Sequence, residues 1–253
     1  MILAVNIGNT NIRAAVGNQT IVNQTVFYTT ESDVITQIES GLGKDIWDSI
    51  EGSIIASVVP TRTNAIISLL EKRIGISARR INIKQCGDLK TNQYEGLLGE
   101  DRVVCCAHAL QKFSPPFVLI DYGTATTINV VTKNGEFVGG AILPGLQTSL
   151  DALTNNTGQL PQISGLDRLE NPIPLIGKNT MENLKSGAII GQACATEEFI
   201  SRIEKELDCK VSIIVTGGHG PVVLPYCRFK YTYEPSLLLE GLLMLYKNAV
   251  TIS

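Results

Sequence analysis

The sequence predicts an α/β protein of two related halves with a cleft between them, and three observations carry that reading. The first is the central stretch FVLIDYGTATTINVVTKNGEFVGGAILPG, residues 117–145. Apolar residues 117–120 read as a buried strand, followed by Asp121 and a turn set over residues 122–126. Residues 127–131 run as a second strand into Asn134-Gly135, a strong hairpin signal. A third strand is expected to end at Gly139-Gly140, with Pro144-Gly145 closing the unit. The second observation is a repeat: laid on this segment, residues 3–16 place Gly8 on Gly123 and Asn6 on Asp121. The third is that a β-then-α order follows both copies.

A carboxylate at a strand end, followed by Gly and hydroxyl residues on a tight turn, suits phosphate and cation binding. Glycine lets the backbone approach the anion, N–H and O–H groups donate to it, and the acid can hold a counter-ion. The same pattern also occurs in ordinary hairpins. Two such hairpins, one from each half, make a nucleotide the natural ligand of the cleft.

Taken in order, residues 21–29 alternate loosely and extend the opening sheet. Residues 33–42 have helical spacing through Val34, Ile38 and Leu42. Residues 53–59 read as a buried strand ended by Pro60, and residues 61–74 as an amphipathic helix through Ile66, Leu69, Leu70 and Ile74. A strand over residues 78–83 leads to a polar loop at 86–93, then to Tyr94 and Gly99-Glu100-Asp101-Arg102 ahead of an apolar helix. On that helix His108 is assigned to packing. Ser114-Pro115-Pro116 is the best boundary, giving expected domains of residues 1–114 and 115–253. Asn179 caps a long helix with Glu182 beyond it. Residues 211–216 are a buried strand ending at Gly217-Gly218, and the last helix starts near Pro235.

The 253 residues are 44% hydrophobic and 18% charged, ordinary for a globular enzyme. A net charge of −3 with no basic run does not favour nucleic acid as partner. No apolar run approaches the length of a membrane span, and the first residues lack the character of a signal peptide, so a cytoplasmic protein is expected. Six cysteines without C-x-x-C spacing, and two histidines not placed to complete a zinc set, imply free and mostly buried thiols. Trp47 carries no functional argument.

Together the segments Asn6-Ile7-Gly8-Asn9-Thr10, Ser57-Val58-Val59-Pro60, Gly99-Glu100-Asp101-Arg102, Asp121-Tyr122-Gly123-Thr124-Ala125-Thr126, residues 139–145 and 153–161, Gly177-Lys178-Asn179-Thr180 and Thr216-Gly217-Gly218 resemble the type III pantothenate kinase family. The resemblance spans nearly the whole chain. It implies two RNase H-like domains of the acetate and sugar kinase/Hsp70/actin type, and ATP-dependent phosphorylation of pantothenate to 4'-phosphopantothenate, the first step of coenzyme A biosynthesis. By the same resemblance Asp101 is the general base and Arg102 holds the pantothenate carboxylate. Tyr94, Gly99, Glu100 and Thr180 complete the substrate set. ATP falls to Asn6, Ile7, Gly8, Asn9, Thr10, Asn11, Ile12, Arg13 and Thr124, with Gly217 and Gly218 facing the adenosine. Asp121 takes a monovalent cation (K+ or NH4+), Mg2+ accompanies the nucleotide, and the protein is a homodimer. Read from the residues alone, Asp101 could instead serve the helix dipole and Arg102 be a solvated charge.

One position departs from the family pattern. It begins with Asp where this chain has Asn6. An amide keeps an oxygen donor but loses the charge that hard divalent cations favour. An active variant, an introduced substitution and a catalytically weak or inactive nucleotide- or pantothenate-binding regulatory paralogue are all consistent with that change. Retention of Asp101, Arg102 and Asp121 favours a working or partly working kinase.

Overall fold

The computed structural model describes residues 1–18, 20–81, 83, 86–92, 94–96, 98–166 and 172–250. They form two compact units, one of residues 1–113 with 236–253 and one of residues 114–235.

In unit 1, β1 (Ile2–Ile7), β2 (Asn11–Gly17) and β3 (Ile21–Tyr28) make an antiparallel meander. The strand β4 (Gly52–Ser57) lies parallel to β1, and β5 (Arg79–Arg80) parallel to β4, so the order is β3-β2-β1-β4-β5. Every residue of β1 is buried, as a central strand covered on both faces requires. Leu3, Val5 and Ile7 pack with Val34, Ile38 and Leu42 of α1 (Val34–Leu42) and with Ile66 and Leu70 of α2 (Pro60–Ile74). Each such buried side chain is worth roughly 1.5–3 kcal/mol. Asp33 caps α1 by accepting from the Thr36 N–H, and Pro60 stands in the first turn of α2, where no backbone N–H is needed. The strand expected over residues 78–83 shrinks to two exposed arginines at the sheet edge, and Asn82 lies outside the described residues.

The next helix, α3 (Glu100–Lys112), packs with α8 (Leu237–Val250) in the same unit. His108 Nε2 stands 3.2 Å from Glu240 Oε2, a tie between these helices that bears out its packing role. Unit 2 begins at Ser114, and residues 236–253 belong to unit 1. The reason is apolar: Leu237, Leu242 and Leu243 are fully buried, and α8 also lies against β1, β2 and β4.

Unit 2 repeats the topology. The strands β6 (Phe117–Tyr122), β7 (Ala125–Val131) and β8 (Phe137–Pro144) form the meander. The strand β9 (Ser212–Thr216) is parallel to β6 and β10 (Thr232–Tyr233) parallel to β9, giving the order β8-β7-β6-β9-β10. Each unit is therefore a five-stranded sheet of the same RNase H-like plan. Its helices are α4 (Leu146–Asn156), α5 (Thr180–Lys185), α6 (Gly191–Glu206) and the short α7 (Gly220–Val223). Residues 186–190 join α5 to α6 through a π-helical turn. Asn179 does cap α5, accepting from the Glu182 N–H.

One strand end differs from expectation. Rather than stopping at Gly139-Gly140, β8 runs on to Pro144. Gly140 adopts φ +144°, and a side chain there would collide with the carbonyl of Ile128 on β7. These glycines let the strand continue past its neighbour.

Candidate active site

The two copies of the strand-turn-strand unit align as the repeat predicts. Asn6 and Asp121 each occupy the fifth position of a six-residue strand, one residue before the end. In unit 1 the Gly8 N–H donates to the Asn11 carbonyl (3.0 Å), and in unit 2 the Gly123 N–H donates to the Ala125 carbonyl (3.1 Å). The first turn is thus longer by one residue. Both are clamped by the residue after the third strand: the Thr29 N–H donates to the Thr10 carbonyl (2.8 Å), and the Gly145 N–H to the Thr124 carbonyl (3.1 Å). Hydroxyls reinforce each clamp, Thr29 Oγ1 donating to the Gly8 carbonyl (2.7 Å) and Thr148 Oγ1 to the Thr124 carbonyl (2.7 Å). Thr29 and Thr148 carry no signature by themselves. Only the alignment of Thr29 with Gly145 would have pointed to the first of them.

Within the nucleotide set, Asn9 and Thr10 are exposed on the turn, Gly8 and Asn11 partly so. Ile7 and Ile12 are fully buried in the unit 1 core, so only their backbone can reach a ligand. Asn6 is 8% exposed, and its Oδ1 is buried without a hydrogen-bond partner among the described residues. Arg13 lies directly opposite Asn6 on β2 and is partly buried.

Glu100, Asp101 and Arg102 form the first turn of α3, and each does something different. Glu100 Oε2 accepts from the Ser57 N–H at the end of β4 (2.8 Å), while Oε1 lies 3.8 Å from Arg80. This side chain pins the helix to the strand end. Asp101 Oδ1 accepts from the Arg102 N–H (2.8 Å), as an acid at a helix N-terminus favours. Arg102 is not a solvated charge: it is 9% exposed, and its guanidinium sits 5.8 Å from the ring centroid of Tyr94. Tyr94 also lines an open hollow of about 490 Å³ with Ile83, Leu89, Thr91 and Asn92. Gln93 and Leu97, on either side of Tyr94, lie outside the described residues.

In unit 2, Asp121 is paired across the sheet with Thr127 on β7 and Thr216 on β9. Directly opposed residues project from one face, so a carboxylate and two hydroxyls share it. Gly217 follows, with φ +95° and no room for a side chain beside Asp121 Oδ1. The His219 N–H donates to the Tyr122 carbonyl (3.0 Å), holding the next turn against the strand end. Gly218 is exposed, and so is Thr180, in the first turn of α5. The six thiols are free, but only Cys86, Cys105 and Cys106 are buried, while Cys194 and Cys209 are exposed.

Comparison with known proteins decides the family. A model of the type III pantothenate kinase family matches residues 2–202. This chain belongs to the type III pantothenate kinase family. A type III pantothenate kinase of a Roseiflexus species (strain RS-1) is 31% identical over 98% of this chain and 98% of its own. That of a Sulfurihydrogenibium species is 36% identical over 76% and 75% respectively. Among solved structures, a protein described as a Baf family transcriptional activator from Campylobacter jejuni is similar with a TM-score of 0.62 at 18% identity, covering 98% of this chain and 99% of its own. That likeness shows the fold alone.

A kinase of this family takes ATP and a divalent metal. No group of three or more His, Cys, Asp or Glu suited to a metal occurs among the described residues. At the end of β1 the donor is a neutral amide facing Arg13, which does not fit a divalent cation. The Asp121 row offers one carboxylate and two hydroxyls on one face of the sheet. Among the described residues no helix is long and apolar enough to cross a membrane.

Proposed function

We propose that this chain phosphorylates pantothenate at its terminal hydroxyl with ATP, giving 4'-phosphopantothenate and ADP. Membership of the family supports the reaction, and the first turn of α3 supports the residue roles. There Asp101 commits one carboxylate oxygen to its own helix and leaves Oδ2 without a hydrogen bond among the described residues. That oxygen is the general base: it accepts the proton of the attacking hydroxyl as the γ-phosphoryl group moves to the alcohol oxygen and ADP departs. Arg102, steadied on Tyr94, offers its planar fork to the pantothenate carboxylate. In the turn that the Thr29 N–H clamps, Asn9 and Thr10 are exposed and carry the polar groups offered to the phosphates, and the family resemblance assigns Thr124 to ATP and Gly217-Gly218 to the adenosine. Glu100 and Thr29 are positioning residues. Asp121, with Thr127 and Thr216 beside it on the sheet, holds K+ or NH4+.

The working form is a homodimer in the cytoplasm, with Mg2+ as the divalent ion. Leu175 and Ile176 of unit 2, 72% and 81% exposed, are the apolar surface that favours association.

The test is product formation from pantothenate and ATP, followed by mass spectrometry, with Asp101→Asn beside the parent chain. The variant should lose roughly 10²–10⁴-fold in rate. Arg102→Lys should chiefly raise KM for pantothenate and spare pantothenol, which lacks the carboxylate. An Asp101→Asn protein with parental turnover would refute the base assignment.

A further inference from the structure

Although the two sheets share one plan, the rows that end their first strands differ in charge. In unit 2 the row is Asp121 with Thr127 and Thr216, one negative charge. In unit 1 it is Asn6 with Arg13 on β2 and Ala56 on β4, one positive charge. Opposed residues share a face, so Asn6 and Arg13 stand on the same side of the unit 1 sheet.

Neither side chain is consumed by the fold. Arg13 is partly buried, and among the described residues its guanidinium makes no hydrogen bond or ion pair. Asn6 Oδ1 is buried and unpartnered, and Asn6 Nδ2 lies on the Gly8 side, 3.8 Å from where a Cβ on that glycine would stand. A buried polar atom without a partner is costly and rare, so the Asn6 amide beside a glycine turn, with the partly buried Arg13 guanidinium opposite it, points to a ligand. An orphan oxygen alone would suit a cation as well as a donor. Arg13 decides the sign. A fixed positive charge next to Asn6 repels a divalent ion and attracts a polyanion, and a guanidinium meets phosphate through paired N–H donors.

We propose that the β1–β2 turn of this chain binds the polyphosphate of a nucleoside triphosphate directly, with no divalent cation between them. Asn6 Nδ2 and the Arg13 guanidinium supply the contacts, and the divalent ion travels on the phosphates without being held at position 6. A carboxylate there would reverse the requirement: it would neutralise Arg13 and repel the phosphates unless a cation intervened. The inference rests on the placement of the triphosphate at this turn in the proposed function.

Calorimetric titration of the full chain with ATP, once with EDTA and once with magnesium, tests it without turnover. The parent chain should bind with affinities within about threefold of each other in the two conditions. Asn6→Asp should lose about tenfold or more in EDTA and recover with magnesium. Arg13→Gln should weaken binding in both, and thermal melts of both variants check that they fold. Binding by the parent chain only with magnesium overturns the inference, as does an Asn6→Asp protein whose binding in EDTA is unchanged. If ATP binds in neither condition, the proposed function falls with it. If ATP binds in EDTA but pantothenate is never phosphorylated, the function fails while the direct contact stands.

Discussion

Replacing Gly217 with alanine tests how tightly unit 2 is built around Asp121. The added methyl would collide with Asp121 Oδ1 and stand 2.5 Å from the backbone nitrogen and carbonyl carbon of Tyr122. Ordinary contact begins at 3.4 Å, so it is about 0.9 Å too close to backbone that cannot swing aside. Overpacking of this kind costs about 1–3 kcal/mol. The left-handed φ of +95° adds about 1–2 kcal/mol for any residue with a Cβ. A total of about 2–5 kcal/mol corresponds to a fall in Tm of roughly 5–15 °C for a chain of this size. Gly158→Ala is the control, because nothing lies within 4 Å of its Cβ position, and it should stay within about 0.5 kcal/mol. The assay is thermal unfolding by circular dichroism, paired with the potassium dependence of turnover. Since the methyl displaces the Asp121 carboxylate, half-saturation by potassium should rise as well. A Gly217→Ala protein melting within about 2 °C of its parent would refute the packing argument.

Thr29→Val keeps shape but removes the hydroxyl bond to the Gly8 carbonyl. ATP affinity should drop about fivefold, from loss of about 1 kcal/mol, with little change in fold; unchanged affinity would show the clamp to be idle. Burial pushes the Cys106 thiol up to about 12, with Arg102 pulling it partly back. The Cys86 thiol is raised to about 11 by burial and by Glu100, and that of Cys227 to about 11, chiefly by burial. All three rise above the usual 9, so the folded state keeps protons that the unfolded chain has shed. Their contribution to stability is complete below about pH 9 and is lost as pH climbs through 11 and 12, so Tm should fall over that window and fall less in Cys106→Ala. Iodoacetamide at pH 8 should label the exposed Cys194 and Cys209 well before Cys86, Cys105 and Cys106, as peptide mapping would show.

The duplication was legible because a central strand buried on both faces reads as an apolar run, and one polar residue near its end stands out. That is how Asn6 and Asp121 could be matched, and both strands hold them at the same position. The burial of Arg102 was not legible. A charge in a first helical turn is normally solvated, and nothing in the spacing shows that Tyr94 lies beneath it. Gly139-Gly140 misled because glycine commonly ends strands; here the constraint is the neighbouring Ile128 carbonyl, a contact across the sheet. Nor could the apolar stripe of α8 say which sheet it covers. Periodicity gives a helix its inner face and is silent about the partner.

The return of α8 to unit 1 sets an order for synthesis on the ribosome. Residues 114–235 are contiguous, so that unit can complete its sheet and core as soon as it emerges. The earlier-made segment cannot. Its sheet lacks a cover on the α3 side until residues 237–250 arrive, with Leu237, Leu242 and Leu243 to bury. The usual rule that the first-made part of a chain folds first is inverted here. Through the making of all of unit 2, the strand carrying Asn6 waits half-clothed for a helix that comes only after it.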